Sequence, residues 1–400
     1  MTTESALVEA GHTFLYPNYR QPPFVFVRGE GSWLFDASGK RYLDLYAGIA
    51  VSTLGHAHPK LTAAIAAQAG KLLHVANYFY NEPNVRLAEK LCRLTEMDRA
   101  FFCNSGTEAI EATLKLARRY FHAQGQTQRQ RIIAFRNSFH GRTLGALAAT
   151  GQDKYKDGFG PLPGVTHVAY GDLEAVRAAM GADVAGVLVE PVQGEGGVLA
   201  APPGFLRELR ELTSNAGALL LADEVQTGIG RTGKFLSFQH EGIQPDAIAL
   251  AKALAGGVPI GAMVCKKFLE EALPPGSHGS TFGGNPLASA AALAVLDVLE
   301  NDGLMAQVAV RGEELSQLLG RTASKFPKLV ECARGRGLLQ ALVLREGVDA
   351  RKVLGALQEA GVLLTIAGGQ ALRFSPPLII TRAELEEGVA VLDRTLSAYA

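Results

Sequence analysis

This sequence is poor in the features that mark secreted, metal-binding and membrane proteins. Its four cysteines, Cys92, Cys103, Cys265 and Cys332, stand far apart, with no Cys-x-x-Cys pair and no His/Cys cluster. That pattern argues against a disulfide framework and a structural zinc site, and fits buried free thiols in a reducing compartment. No apolar run approaches the ~20 residues of a membrane-spanning helix. The opening MTTESALVEAGHTF has neither a basic segment nor an apolar core, so the expectation is no secretion signal and a cytoplasmic location. Charge of one sign is lacking too: 39 Lys and Arg balance 39 Asp and Glu. Nothing in that balance draws nucleic acid or an anionic membrane, so neither is expected as a partner. Tryptophan occurs once, and no internal repeat or low-complexity segment is visible.

What the chain does have is apolar residues (48%) and 45 glycines, a balance that fits a globular enzyme with many tight loops. Four hundred residues exceed one compact core, so a large and a small domain are expected. The organising stretch is Ala216 to Met263. One apolar run, Ala218 to Ala222, ends in Asp223-Glu224, and a second, Ala247 to Ala251, ends at Lys252 before a glycine-rich turn. Short apolar runs bounded by turn signals read as parallel strands buried on both faces. Ligands of such sheets lie outside the carboxyl ends of the strands, where Asp223 and Lys252 would meet.

The rest of the chain supplies the frame. Residues 1 to about 20 read as a short helix and an irregular arm, and Phe24 to Tyr46 as a β-meander that pairs with the C-terminal segment. Helices are expected over Lys60 to Leu73 and Glu82 to Thr95. Strands at Ile132 to Phe135, Val165 to Tyr170, Val184 to Val189, Ala247 to Leu250 and Gly261 to Cys265 alternate with helical segments, which predicts a mostly parallel sheet. Long helices follow, from Asn285-Pro286 to Glu300 and from Gly303 to Leu319, and then a separate α+β unit. The domains expected are an arm and meander at 1–58, a large domain at 59–290 and a small C-terminal domain at 291–400.

Several motifs carry chemistry. The strand Ala100 to Cys103 runs through Asn104-Ser105-Gly106-Thr107-Glu108 into a helix, and Ser105 with Glu108 fits a capping box. A strand, small polar turn and helix N-terminus can hold an anion, although ordinary capping explains the same residues. Gly228 to Lys234 mimics both GxGxxG and the start of a P-loop. It lacks the Ser or Thr after the lysine and the following helix, so it reads as a bent active-site loop, not a nucleotide cradle. Lys252 has no other charge near it in sequence, and a lysine in apolar surroundings can form a Schiff base. Asp223 would need a cation, which a pyridinium nitrogen supplies. Phe139-His140-Gly141-Arg142-Thr143 offers an aromatic to stack and an arginine for a carboxylate. Glu190 and Glu195 are candidate acid/base groups, and Arg373 a partner for an acid or an anionic ligand. His56 and His58 lack a third metal ligand nearby and read as turn or subunit-contact residues, so no metal is expected.

The ordered set Asn104 to Glu108, Phe139 to Thr143, Glu190 to Gly197, Asp223 to Gly228, Lys252 and His278-Gly279-Ser280-Thr281-Phe282-Gly283-Gly284-Asn285-Pro286 resembles the class III aminotransferases. The match runs from about Tyr19 to Thr381. The resemblance implies an α/β fold of the pyridoxal-phosphate fold type I, with a seven-stranded, mostly parallel sheet flanked by helices and a small α+β domain. It implies pyridoxal 5'-phosphate bonded to Lys252, which also moves the proton. Asp223 would pair with the ring nitrogen, Gln226 with the phenolic oxygen, and Val225 and Phe139 with the ring faces. Ser105, Gly106 and Thr107 would bind the phosphate, joined by Thr281 from the neighbouring subunit of an obligate homodimer.

The resemblance extends to substrates, an amino donor and 2-oxoglutarate. Arg142 would hold a substrate carboxylate, and Tyr19 would line the pocket. Glu195 and Arg373 would form a switch, paired for the amine and parted for 2-oxoglutarate. Within the family, Asn77 to Pro83 and His278 to Pro286 look most like the branch that acts on N2-acetyl-L-ornithine in arginine biosynthesis, yielding the 5-semialdehyde and glutamate. Branches acting on ornithine, blocked lysine or succinyldiaminopimelate share most motifs. Isomerisation or decarboxylation on the same cofactor, and a non-catalytic regulator, are the competing readings.

Overall fold

The structure, a computed structural model, describes residues 4–22 and 24–399, so residues 1–3 of the expected first helix and Pro23 of the arm lie outside the described residues. The first helix, Glu4–Phe14, buries none of its side chains. The meander follows as β1 (Phe26–Glu30), β2 (Trp33–Asp36) and β3 (Arg41–Asp44). Its turn is built by Asp36, whose Oδ1 accepts from the backbone N–H groups of Ser38 and Lys40 at 2.9 and 3.0 Å. The helix Pro59–Ala69 stops at Gly70, short of the expected Leu73, whereas Glu82–Thr95 matches its expected span. Gly70 is the C-cap of the former, in right-handed backbone conformation with its N–H bonded to the carbonyl of Ala66.

Then come β4 (Arg99–Cys103), β5 (Arg131–Phe135), β6 (Val165–Val168), β7 (Val184–Val189), a short pair β8 (Val192–Gln193) and β9 (Leu199–Ala200), β10 (Leu219–Asp223), β11 (Ala247–Leu250) and β12 (Gly261–Cys265). Seven of these form the main sheet in the order β4-β12-β11-β10-β7-β5-β6. Every residue of β7, β10, β11 and β12 is buried, which is why these strands read as continuous apolar runs. The sheet is parallel except for β12, which runs antiparallel to β11 and β4. The link from β11 holds only a 3-10 turn, Lys252–Ala255, and a parallel return needs a longer crossover.

The helix Pro286–Asn301 packs against Pro59–Ala69 and Glu82–Thr95. The next helix, Leu304–Lys325, outruns its expected end at Leu319 and stops only before Phe326-Pro327, since the residue before proline disfavours helix. The C-terminal unit has β13 (Val330–Arg336), β14 (Leu339–Leu344), a helix Ala350–Glu359, β15 (Val362–Leu363), β16 (Thr365–Ala367), β17 (Ala371–Phe374) and a last helix, Arg382–Ser397. Its sheet has the order β13-β14-β17-β16, while β15 pairs parallel with β3, so the meander does meet the C-terminal segment.

Two expectations are corrected. Only Cys103 and Cys265 are buried thiols; Cys92 and Cys332 are half-buried, and all four are free. The loop from Gly228 to Lys234 is not an active-site loop. Its residues Gly228 to Thr232 lie in the core, with Arg231 fully buried and its Nη1 donating to the carbonyls of Leu338 (3.2 Å) and Pro376. Its glycines serve packing: a Cβ on Gly230 would meet Met305 Sδ at 2.8 Å. Among the described residues no helix is long and apolar enough to cross a membrane.

Candidate active site

Asp223 and Lys252 are brought together by the sheet. β10 and β11 pair in parallel with Asp223 beside Ala249, so the acid ends one strand and the lysine follows the end of its neighbour. Both line a cavity of ≈ 400 Å³. Lys252 leaves β11 with a positive φ of 35°, which an L side chain rarely adopts, and forms no ion pair or side-chain hydrogen bond among the described residues. Burial pushes its ammonium below the ordinary range, against the pull of Glu195.

Asp223 has the local partner that sequence reasoning missed. Its Oδ2 lies 2.7 Å from His140 Nδ1, and its Oδ1 accepts from Val225 N–H at 2.9 Å. His140 is buried, and its other ring nitrogen has no partner among the described residues. The only sequence signal was its place between Phe139 and Gly141 after a buried strand, and nothing along the chain tied it to Asp223. Glu190, on the same wall, accepts from Phe139 N–H at 3.1 Å. Burial, then the nearby Asp223, holds its carboxyl well above the usual range.

The anion turn keeps both of its readings. Ser105 caps the helix Gly106–Ala123, accepting from Glu108 N–H at 3.3 Å. The reciprocal bond differs from a capping box: Glu108 takes the N–H of Asn104, one residue earlier, at 2.9 Å. Gly106 is required here, because a Cβ would come within 2.7 Å of Val225 Cγ1. Thr107 Oγ1 lies 2.9 Å from Thr143 Oγ1 and accepts from the N–H of Arg142 at 3.1 Å, which joins this turn to the Phe139–Thr143 segment.

Glu195 and Arg373 are paired at 2.5 Å, and Arg373 also donates to Gln226 Oε1 at 3.3 Å and to Thr365 Oγ1 at 3.1 Å. Burial raises the Glu195 carboxyl, but Arg373, Lys252 and the hydrogen bond with Gln226 together hold the group below its usual range.

Ser105, Gly106, Thr107, Phe139, Arg142, Glu195, Asp223, Val225, Gln226 and Lys252 therefore line one cleft, with Arg373 behind Glu195. Tyr19 does not join it and stands on the surface, 77% exposed. Thr281, expected to act on the neighbouring subunit's site, lines a separate cavity with Asn77, Tyr78 and His278. His56 pairs with Asp44 at 2.8 Å, and His58 precedes the helix Pro59–Ala69. The structure adds a backbone conformation that the sequence did not suggest. Ala47, Gly48, Ile49 and Ala50 all have positive φ, a left-handed turn that leads into Val51 at the cleft.

With this geometry in hand, similarity decides the family. The Aminotransferase class-III model matches residues 14–396. The chain belongs to the class III aminotransferases. This aminotransferase is 50% identical to the acetylornithine aminotransferase of Myxococcus xanthus over 387 residues, covering 96% of each chain. Its fold matches the N-acetylornithine aminotransferase of Stenotrophomonas maltophilia with a TM-score of 0.85, at 37% identity and with 98% and 99% of the two chains covered. It also matches the ornithine aminotransferase of Toxoplasma gondii, whose structure shows partial occupancy of pyridoxal phosphate at its active site. There the TM-score is 0.95 at 33% identity, over 100% of this chain and 95% of the other.

Proposed function

We propose that this aminotransferase uses pyridoxal 5'-phosphate to move the δ-amine of N2-acetyl-L-ornithine to 2-oxoglutarate. The observation that carries this is the meeting of Asp223 and Lys252 at adjacent strand ends, in a cleft closed by Ser105 to Thr107. The residues fit the cofactor. Asp223 is a buried carboxylate facing the cleft, Lys252 is a half-buried amine without a partner among the described residues, and Gly106 lets the turn pack against Val225, where a side chain would clash. Lys252 would hold the cofactor covalently, Asp223 its ring nitrogen, Gln226 its phenolic oxygen, Val225 and Phe139 its ring faces, and Ser105 to Thr107 its phosphate. When bound, the group supplies an electron sink for the carbon that carries the amine.

The chain's own residues do the rest. Lys252, its ammonium destabilised by burial, takes and returns the proton at that carbon. Arg142 holds the substrate carboxylate remote from the reacting carbon. Glu195 keeps Arg373 masked while the donor amine is bound, and releases it for the α-carboxylate of 2-oxoglutarate. Thr281 reaches the phosphate of a second copy. In support, Leu72, Leu73, Tyr78, Phe79, Tyr80 and Phe282 are exposed apolar side chains, and Tyr78 lines the same cavity as Thr281. We place the enzyme in the cytoplasm.

The test is a single-turnover absorbance assay with free and acetylated ornithine and lysine, followed by 2-oxoglutarate. Acetylornithine reacts fastest, and Lys252→Ala abolishes both turnover and the cofactor's absorbance shift. A wild-type protein that stays colourless with pyridoxal phosphate, or that passes no nitrogen to 2-oxoglutarate, overturns the reading. Equal rates with free ornithine overturn the substrate alone.

A further inference from the structure

The two arginines of the site are held in opposite ways. Arg373 is buried and its guanidinium is occupied by Glu195, Gln226 and Thr365. Arg142 is exposed at the cleft, and its guanidinium makes no ion pair or hydrogen bond among the described residues. Its backbone is nevertheless fixed. The N–H of Arg142 donates to Thr107 Oγ1, and Gly141 before it, at φ 137°, has no room for a Cβ, which would meet that oxygen at 2.2 Å.

What holds the guanidinium is aromatic. Its central carbon lies 4.1 Å from the centre of the Tyr155 ring and 5.5 Å from that of Phe139. The two rings meet edge to face, 5.6 Å apart at 80°. Tyr155 ends a 3-10 turn, Asp153–Tyr155, and is half-buried. Its hydroxyl makes no hydrogen bond among the described residues, so the ring face is what it offers. Exposed Lys154 shares that ring at 4.8 Å, so removing the ring is more informative than removing one cation.

An acid partner would occupy the donors of an arginine. An aromatic face attracts the cation and leaves its N–H fork free for a carboxylate. We infer that Tyr155 is a positioning residue for Arg142: its ring pre-orients the guanidinium, and so sets affinity for the carboxylate that each substrate carries away from its reacting carbon. This rests on the transamination proposed above. It goes beyond that reading by giving the 153–155 turn a part in specificity.

The test compares substrates with and without the remote carboxylate in the holoenzyme. In Tyr155→Leu, KM for N2-acetylornithine and for 2-oxoglutarate rises about tenfold, the order a partly buried cation–π contact supplies. KM for N-acetylputrescine and for pyruvate, which lack that carboxylate, stays as in the wild type, and kcat changes less than twofold. Tyr155→Phe, which keeps the ring, matches the wild type. A rise for all four substrates together, or a loss in Tyr155→Phe equal to that in Tyr155→Leu, overturns the inference. Calorimetric binding of glutarate separates this from a failure of the activity itself. Glutarate binds the wild type and Tyr155→Phe equally, and Tyr155→Leu about tenfold more weakly. Equal affinity in wild type and Tyr155→Leu, or no binding to either, overturns the clamp whether or not nitrogen is transferred.

Discussion

Asp223 shows why a buried acid is costly to leave with one role. It accepts from His140 and from Val225, and both contacts fix where its remaining lone pairs point. Replacing His140 with Phe removes one buried donor, a loss of ~1–3 kcal/mol when the acceptor is charged. The expected outcome is a pyridoxal phosphate dissociation constant raised at least about tenfold, measured by absorbance titration. His140→Asn keeps a donor and recovers most of the affinity. If both variants bind the cofactor as the wild type does, His140 does not position Asp223. The residues along this wall were unevenly legible. Lys252 and Asp223 stood out because each is a charge at the end of an apolar run. His140 did not, because its partner lies 83 residues away and only folding joins them. Tyr19 was named through the resemblance, and its place on the surface gives it no contact with the cleft within one subunit.

The strands were legible because full burial erases alternation and leaves short apolar runs, as in β7, β10 and β11. The reversal of β12 was not, since a buried strand carries no mark of its direction. Nor was the left-handed turn at Ala47 to Ala50, where three of the four residues have a Cβ that opposes that backbone. The end of β10 carries a second acid with a measurable signature. Burial pushes the Glu224 carboxyl up to about 7 from an ordinary 4.5, against hydrogen bonds from Thr227 and from Phe238 N–H. Between those values the folded chain keeps a proton that the unfolded chain has released. Stability from this group therefore falls as pH rises through that window and is level above and below it. Glu224→Gln removes the effect. Denaturant unfolding at pH 4.5 and at pH 7.5 should show the variant gaining on the wild type by on the order of 3 kcal/mol as pH rises. A constant difference between the two proteins would show that Glu224 is ionised throughout.

At the scale of the molecule, the position of Thr281 bears on assembly. The Thr281 cavity and the apolar side chains around it lie apart from the subunit's own cleft, so a shared site predicts a dimer by light scattering at micromolar concentration. Two inactive proteins, Lys252→Ala and Thr281→Asp, should regain up to about a quarter of wild-type activity when unfolded and refolded together, the statistical share of one intact site in mixed dimers. No recovery would place Thr281 outside the partner's site. The general plan, a mostly parallel sheet with a second α+β unit, was readable from the spacing of runs and turns. The role of Gly228 to Lys234 was not, because the carbonyls that hold Arg231 come from far along the chain. That distance has a consequence for how the protein is made. Pro376 lies 145 residues after Arg231, and Leu338 lies 107 after it. During synthesis the arginine emerges long before the groups that will receive it, and a buried charge without acceptors is prohibitive. The loop must therefore stay hydrated until the C-terminal unit arrives, so the last quarter of the chain closes the core of the part that was translated first.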